Sequence, residues 1–322
     1  MKFDLRVIRR KKIYLGISAI MVLMSLSFLL FIPLNLGIDF KGGELLQLQF
    51  EKTLNRDTLN NNLNNLQSEI PQLKNKRLQY SEDNTIVLRT EQLEDNQREV
   101  LTNTLTEKVG KYEIVKNDKV GPTIGKELTE KSILALVIGS ILIIIYVTIR
   151  FELVYAVVGL LALLHDIIIT MGLIALLKYE INTPFIASIL TILGYSINDT
   201  IVIFDRIREN EKKEGKVRDY STIIEESVDQ VFVRSVNTSL TTIMAIVVLL
   251  IFGGDTLKTF SMTLFIGMII GSYSSIFMAT PLVYIFRKYR KQKNKSKNDK
   301  IKKENGKRTV NGYNENDKVL VW

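Results

Sequence analysis

Residues 183–210 read TPFIASILTILGYSINDTIVIFDRIREN, and between 183 and 204 the only charge is Asp199. At 1.5 Å rise per residue, 184–204 is long enough to cross a bilayer. A carboxylate in a span costs about 2.5–3.5 kcal/mol on insertion scales, so it faces a cavity, a partner or an ion path. The stretch predicts a membrane helix whose one acidic group needs an explanation.

Outward from it, five further apolar runs qualify as spans, at about 13–32, 132–149, 153–177, 237–252 and 260–286. The run at 237–252 is the shortest and opens on Asn237, Thr238, Ser239, Thr241 and Thr242. The first follows MKFDLRVIRRKK. It exceeds the apolar core of a signal peptide, about 7–15 residues, and no A-x-A-like site follows, so it reads as an uncleaved anchor. The chain is 46% hydrophobic with a formal charge of +9 and a mean hydropathy of +0.12, averages that conceal this alternation of apolar and charged blocks. Cysteine is absent, which excludes disulfides and zinc–thiolate or iron–sulfur sites; one histidine, His165, leaves no basis for a histidine metal site. The basic excess flanks spans, where topology accounts for it without nucleic acid.

Lysine and arginine placement sets the orientation. Arg6, Arg9, Arg10, Lys11 and Lys12 precede the first span, and Arg150 lies between the second and third. Arg206, Arg208, Lys212, Lys213, Lys216 and Arg218 follow the fourth; Arg287, Lys288, Arg290 and Lys291 follow the sixth. With both termini cytoplasmic, all four clusters lie inside, and the short opposite loops keep only Lys178 and Lys258. The expected divisions are a basic N-terminus (1–12), the first helix (13–32) and an extracytoplasmic domain (33–130). Helices two to six (131–286) follow, with a cytoplasmic loop at about 205–236, then a disordered basic tail (287–322) suited to anionic lipid.

The 33–130 segment reads as strand 43–50, helix 55–69, strands 76–81 and 84–90, helix 94–109 and strand 111–117. In 43–50, Leu45, Gln47 and Gln49 alternate with Leu46, Leu48 and Phe50, the period of a strand with one buried face. This β-α-β-β-α-β order is ferredoxin-like, a fold that indicates shape and not activity. The expected fold is thus a six-helix transmembrane bundle with an α+β ferredoxin-like extracytoplasmic domain.

Four ionisable residues stand in or beside the spans: His165, Asp166, Asp199 and Arg234. Helical neighbours point about 100° apart, so His165 and Asp166 need not pair and their partners are expected on adjacent helices. Each reads as a proton-relay member or as a structural group, a satisfied core histidine for His165 and an interhelical bond for Asp166. For Asp199 the alternatives are an interhelical hydrogen bond or a protonatable switch with Arg234 as counter-charge; Asn198 lies beside it and Tyr195 one turn earlier on its face. Asp205 and Arg206 fit a local salt bridge or helix-end cap at headgroup level. Thr222 and Glu225 have capping-box spacing, predicting a short amphipathic helix over 222–236 on the cytoplasmic surface. Gly267 and Gly271 form a small-xxx-small pair, for packing within the chain or against another subunit. Gly121 and Gly125, with Pro122, are expected hinges between the outer domain and span two. GIDFKGG (37–43) lacks the ending of a phosphate loop and leads into a strand. No nucleophile–base, nucleotide or metal motif appears. The expectation is no enzyme and no cofactor, with a proton gradient as energy source.

Taken together, GIDFKGG (37–43), VGPTIG (120–125), RFE (150–152), LLHD (163–166), GYSINDTIVIFDRIREN (194–210) and NTSLTT (237–242) resemble the SecF family. These are subunits of the SecDF protein-export complex, in the resistance-nodulation-division superfamily. The resemblance covers about 10–286. It implies pairing with SecD into a twelve-span pseudo-symmetric unit beside the SecYEG channel in the bacterial cytoplasmic (inner) membrane. There, proton flow helps move the translocating polypeptide on the outer face. It places Asp199 and Arg234 in the proton path and leaves this chain incomplete without SecD. A non-conducting translocon scaffold, or a half-transporter of a small molecule or lipid, stays open as an alternative.

Overall fold

Six helices are long and apolar enough to cross a membrane in the computed structural model, which describes residues 5–81, 84–214 and 217–290. They are α1 (Lys11–Phe31), α5 (Pro122–Arg150), α6 (Leu153–Leu176), α7 (Thr183–Glu214), α8 (Tyr220–Phe252) and α9 (Gly254–Ser274). A π-helical turn, Ser275–Ala279, then carries the last helix on to residue 290. About half of α6, α7 and α9 is buried, whereas α1, α5 and α8 turn most of their apolar surface outward. Residues 291–322, most of the expected tail, lie outside the described residues.

Two of these helices run past the apolar stretch that predicts them. α7 continues to Glu214 and α8 starts at Tyr220, so the expected loop of 205–236 is an antiparallel helical hairpin. The surface helix expected over 222–236 is instead the first half of an unbroken α8. Its apolar face, Ile224, Val228 and Val231, is buried in one cluster with Ile203, Phe204 and Ile207 of α7. That face packs on protein, so it has no reason to lie on lipid. The capping box is also displaced: the N-cap is Asp219, which accepts from Ser221 N at 3.3 Å, while Glu225 accepts from Arg9 N at 3.1 Å.

Between α1 and α5 the chain forms α2 (Ile38–Lys41), β1 (Gly43–Phe50), α3 (Arg56–Asn65), β2 (Arg77–Tyr80), β3 (Thr85–Thr90), α4 (Asp95–Lys108) and β4 (Tyr112–Val120). The sheet order is β2-β3-β1-β4 with every neighbour antiparallel. β1 and β2 are therefore parallel with β3 between them, the split βαβ of a ferredoxin-like domain. The period of two decides the core. Leu46, Leu48 and Phe50, opposite Leu88 and Ile86, are buried against Leu59 and Leu63 of α3 and Leu101 and Leu105 of α4. Asn55 caps α3 by accepting from Asp57 N and Thr58 N, and Glu94 with Gln97 forms a capping box on α4.

The domain meets the bundle through GIDFKGG. Gly43 has φ +132°, and a Cβ there would stand 2.4 Å from Thr90 O, so no other residue fits without moving β3. Gly121 has an ordinary extended conformation at the N-cap of α5, and Gly125 lies inside that helix. A Cβ on Gly125 would be 3.1 Å from Gly42 N and 3.3 Å from Phe40 O. At this joint Gly125 packs α5 against residues 39–42, whereas a Cβ on Gly121 would have open space around it.

Close approach within the bundle centres on a glycine that composition alone does not flag. A Cβ on Gly172 of α6 would lie 2.5 Å from Ser25 Cβ and 2.6 Å from Ser25 Cα of α1. Gly172→Val must push the α1 backbone off α6, at a cost of about 1–3 kcal/mol. The expected result is a lowered thermal midpoint in detergent.

Candidate functional site

α7 divides its polar residues between two faces. Tyr195 and Asp199, four apart, turn toward α8; Ser196 and Thr200, also four apart, turn toward α6 and α9.

On the first face, Tyr195 OH donates to Thr238 O at 2.8 Å and lies 2.8 Å from Thr242 Oγ1. These are polar residues of the shortest predicted span. Asp199 is only 6% exposed, and its neighbours on α8 are Ser235 and Ser239, with the Arg234 charge within electrostatic reach. Asp199 Oδ2 and Ser235 Oγ are both buried with no hydrogen-bond partner among the described residues. Arg234 itself is exposed and forms no ion pair with Asp199 among them. Asn198, Arg234, Asn237, Thr238 and Thr241 are exposed along this same edge, at the depth of the spans. Polar side chains facing hydrocarbon are unfavourable, so this edge is built to meet something other than lipid.

On the second face Asp166 is fully buried. Its Oδ2 accepts from Ser196 Oγ at 2.5 Å and from Ser274 Oγ at 2.9 Å, and its Oδ1 lies 2.9 Å from His165 Nδ1. Asp166 thus finds its expected partners on adjacent helices, and it also meets its neighbour, because the imidazole turns so that Nδ1 reaches the adjacent carboxylate. His165 also stacks on Tyr273, and its Nε2 is buried without a partner among the described residues. Ser275 Oγ, in the π turn, lies 2.8 Å from Thr200 Oγ1. Ser275 thus reaches α7 from the π turn while Ser274, just before it, reaches Asp166 of α6, and such turns recur at functional sites. Three helices thus converge on one carboxylate. Ser196 and Thr200 went unmarked in the sequence, where the one available signal was their i,i+4 spacing in an apolar helix.

The remaining predicted positions fall as follows. Asp205 meets Arg150 Nη2 at 3.4 Å, and Arg206 bonds Gln230 at 2.5 Å and Glu209 at 2.7 Å. Arg206 makes a local salt bridge with Glu209 and spans the helical hairpin to Gln230, while Asp205 ties α7 to the end of α5; the two neither pair with each other nor end α7. A Cβ on Gly267 would overlap Ile192 of α7 at 2.2 Å, and one on Gly271 would meet Ser196 Cβ at 3.0 Å. The small-residue pair packs within the chain.

At the domain end, the α6–α7 turn is tied to the sheet. Gly37 N donates to Ile181 O at 2.8 Å and Ile181 N to Asn35 O at 2.7 Å. Asp39 Oδ2 accepts from Thr183 N, the first residue of α7, at 2.7 Å, where the helix dipole also favours a carboxylate. Glu180 pairs with Arg89 of β3 at 2.8 Å, both largely buried. Burial pushes the Glu180 carboxyl above its usual range, against the pull of Arg89. Beneath the sheet a cleft of about 550 Å³ opens between Gln47, Gln79 and Arg89 above and Tyr179, Glu180 and Lys258 below.

Comparison with known proteins fits this geometry. Residues 100–289 match the family described as protein export membrane protein SecD/SecF, C-terminal, and residues 27–54 match the SecD/SecF GG motif. The protein translocase subunit SecF of Sebaldella termitidis is 48% identical over 297 residues, 92% of this chain and 96% of its own. That of a Synechocystis species is 43% identical, over 81% of this chain and 86% of its own. SecDF from Thermus thermophilus, described as a translocon-associated membrane protein, superposes with a TM-score of 0.80 at 31% identity, over 89% of this chain. The chain spans 39% of that SecDF polypeptide. A super-membrane-facing form of SecDF superposes with a TM-score of 0.68 at 32% identity, over 92% of this chain and 40% of its own.

Proposed function

The chain belongs to the SecF family of protein translocase subunits, and from that we propose that it pairs with SecD to couple proton flow to late steps of polypeptide export. The pair is a twelve-span unit of the bacterial cytoplasmic membrane beside SecYEG. Both termini of this chain are cytoplasmic and its ferredoxin-like domain is outside, as the basic clusters favour.

The observation that carries this reading is Asp199. It is a buried carboxylate with one oxygen unpartnered among the described residues, set between α7 and the hydroxyls of α8 behind an edge whose polar residues they leave exposed. A proton on Asp199 removes the need for a counter-charge and lets α7 and α8 repack; when it leaves, the Arg234 charge balances the carboxylate. A proton crossing 100 mV supplies about 2.3 kcal/mol. His165 and Asp166 support this path from the other face of α7 by fixing its position.

The uncovered edge implies that the missing half belongs to SecD. In proteoliposomes with an imposed pH gradient, this chain alone is expected to leave the gradient intact. Co-reconstitution with its SecD should dissipate it. Equal flux from this chain alone would overturn the shared path.

A further inference from the structure

We infer that the α6–α7 turn is a rigid tie between α7 and the outer sheet, with Asp39 and the Arg89–Glu180 pair as its positioning residues. This rests on the proposed role of Asp199, because it concerns how movement of the same helix leaves the membrane.

Two covalent connections join the outer domain to the bundle, one from α1 through the 33–37 segment and one into α5, and neither of them is α7. Without added contacts, displacement of α7 reaches the sheet only through neighbouring helices. The turn bypasses them. Asp39 holds the first amide of α7 at 2.7 Å, and the backbone of 35–37 pairs with Ile181 in both directions. Asn35 Nδ2 donates to Lys178 O at 3.0 Å, and Arg77 Nη1 donates to Asn35 Oδ1. Arg89 of the central strand β3 grips Glu180 at 2.8 Å. These contacts to Asn35, Gly37, Asp39 and Arg89 all fall between Lys178 and Thr183.

The tie also withstands the acidic side of the membrane. The charged groups facing Glu180 are Arg89 from β3, Arg77 from β2 and Asp39 from the α2 turn. Burial outweighs them and raises the proton affinity of Glu180 where it is docked. The docked form is therefore favoured below the usual glutamate range, and that preference is lost as pH rises through the docked value. Acid does not release it.

The test exploits a chain without cysteine. Arg89→Cys with Glu180→Cys is assembled with SecD in otherwise cysteine-free proteoliposomes containing the translocon. Export and proton flux are read before and after bridging with a short, reducible bis-methanethiosulfonate. With the thiols free, export should fall about fivefold or more, the range of a coupling between sites, while proton flux persists. Bridging should restore export. A pair that only stabilises the fold would lower flux and export together. Full export with free thiols, or a block on bridging, would overturn the tie. If Asp199→Asn leaves proton flux unchanged, the failure belongs to the proton path instead.

Discussion

Asp199→Asn should reduce secretion of a reporter to that of cells lacking the subunit, at unchanged membrane level and unchanged co-purification with SecD. The substitution is nearly isosteric and keeps a polar group beside Ser235 and Ser239, so α7–α8 packing survives. What it removes is the capacity to hold and release a proton. If one proton per 100 mV contributes about 2.3 kcal/mol to a rate-limiting movement, its loss slows export by up to about 50-fold. Asp199→Glu keeps the titratable group, displaced by one methylene, and should retain a measurable part of the activity. Full secretion by the asparagine variant would make Asp199 an interhelical contact and move the scaffold reading into first place.

The parts of this architecture legible in the sequence are those governed by periodicity. Six apolar runs and the alternation Leu46, Leu48, Phe50 against Gln47, Gln49 are local signals, and the bundle and the sheet follow from them. Helix ends are less local. Asp205 and Arg206 look like the end of a span by polarity, yet α7 continues because Ile203 and Ile207 find Ile224 and Val228 across the hairpin. In the site, Asp199 stands out because charge in an apolar run is costly. Ser196, Ser274, Asp39 and Glu180 do not, because each is ordinary by composition and acquires its role from a partner distant in the chain. The pairing of His165 with Asp166 depends on side-chain torsions that spacing does not encode.

That contrast leads to opposite behaviour for the two buried carboxylates of the bundle. Asp166→Ala leaves His165 Nδ1 and Ser196 Oγ without their acceptor and Ser274 Oγ with Gly271 O alone, on three helices and away from water. Interhelical hydrogen bonds in membranes average about 0.6 kcal/mol each. The three together with the vacated volume amount to about 2–4 kcal/mol. The expected phenotype is thermal: a lower unfolding midpoint in detergent and a reduced membrane level. Export should fall in proportion to the protein that remains, with activity per molecule preserved. Asp166→Asn, which keeps one acceptor oxygen, should fall between alanine and wild type. Neither outcome resembles that expected at Asp199, where the fold stays and the activity goes. An Asp166→Ala protein that is present and stable at wild-type level yet exports nothing would place Asp166 on the proton path. α7 would then carry protons on both of its faces instead of being held by one and switched by the other.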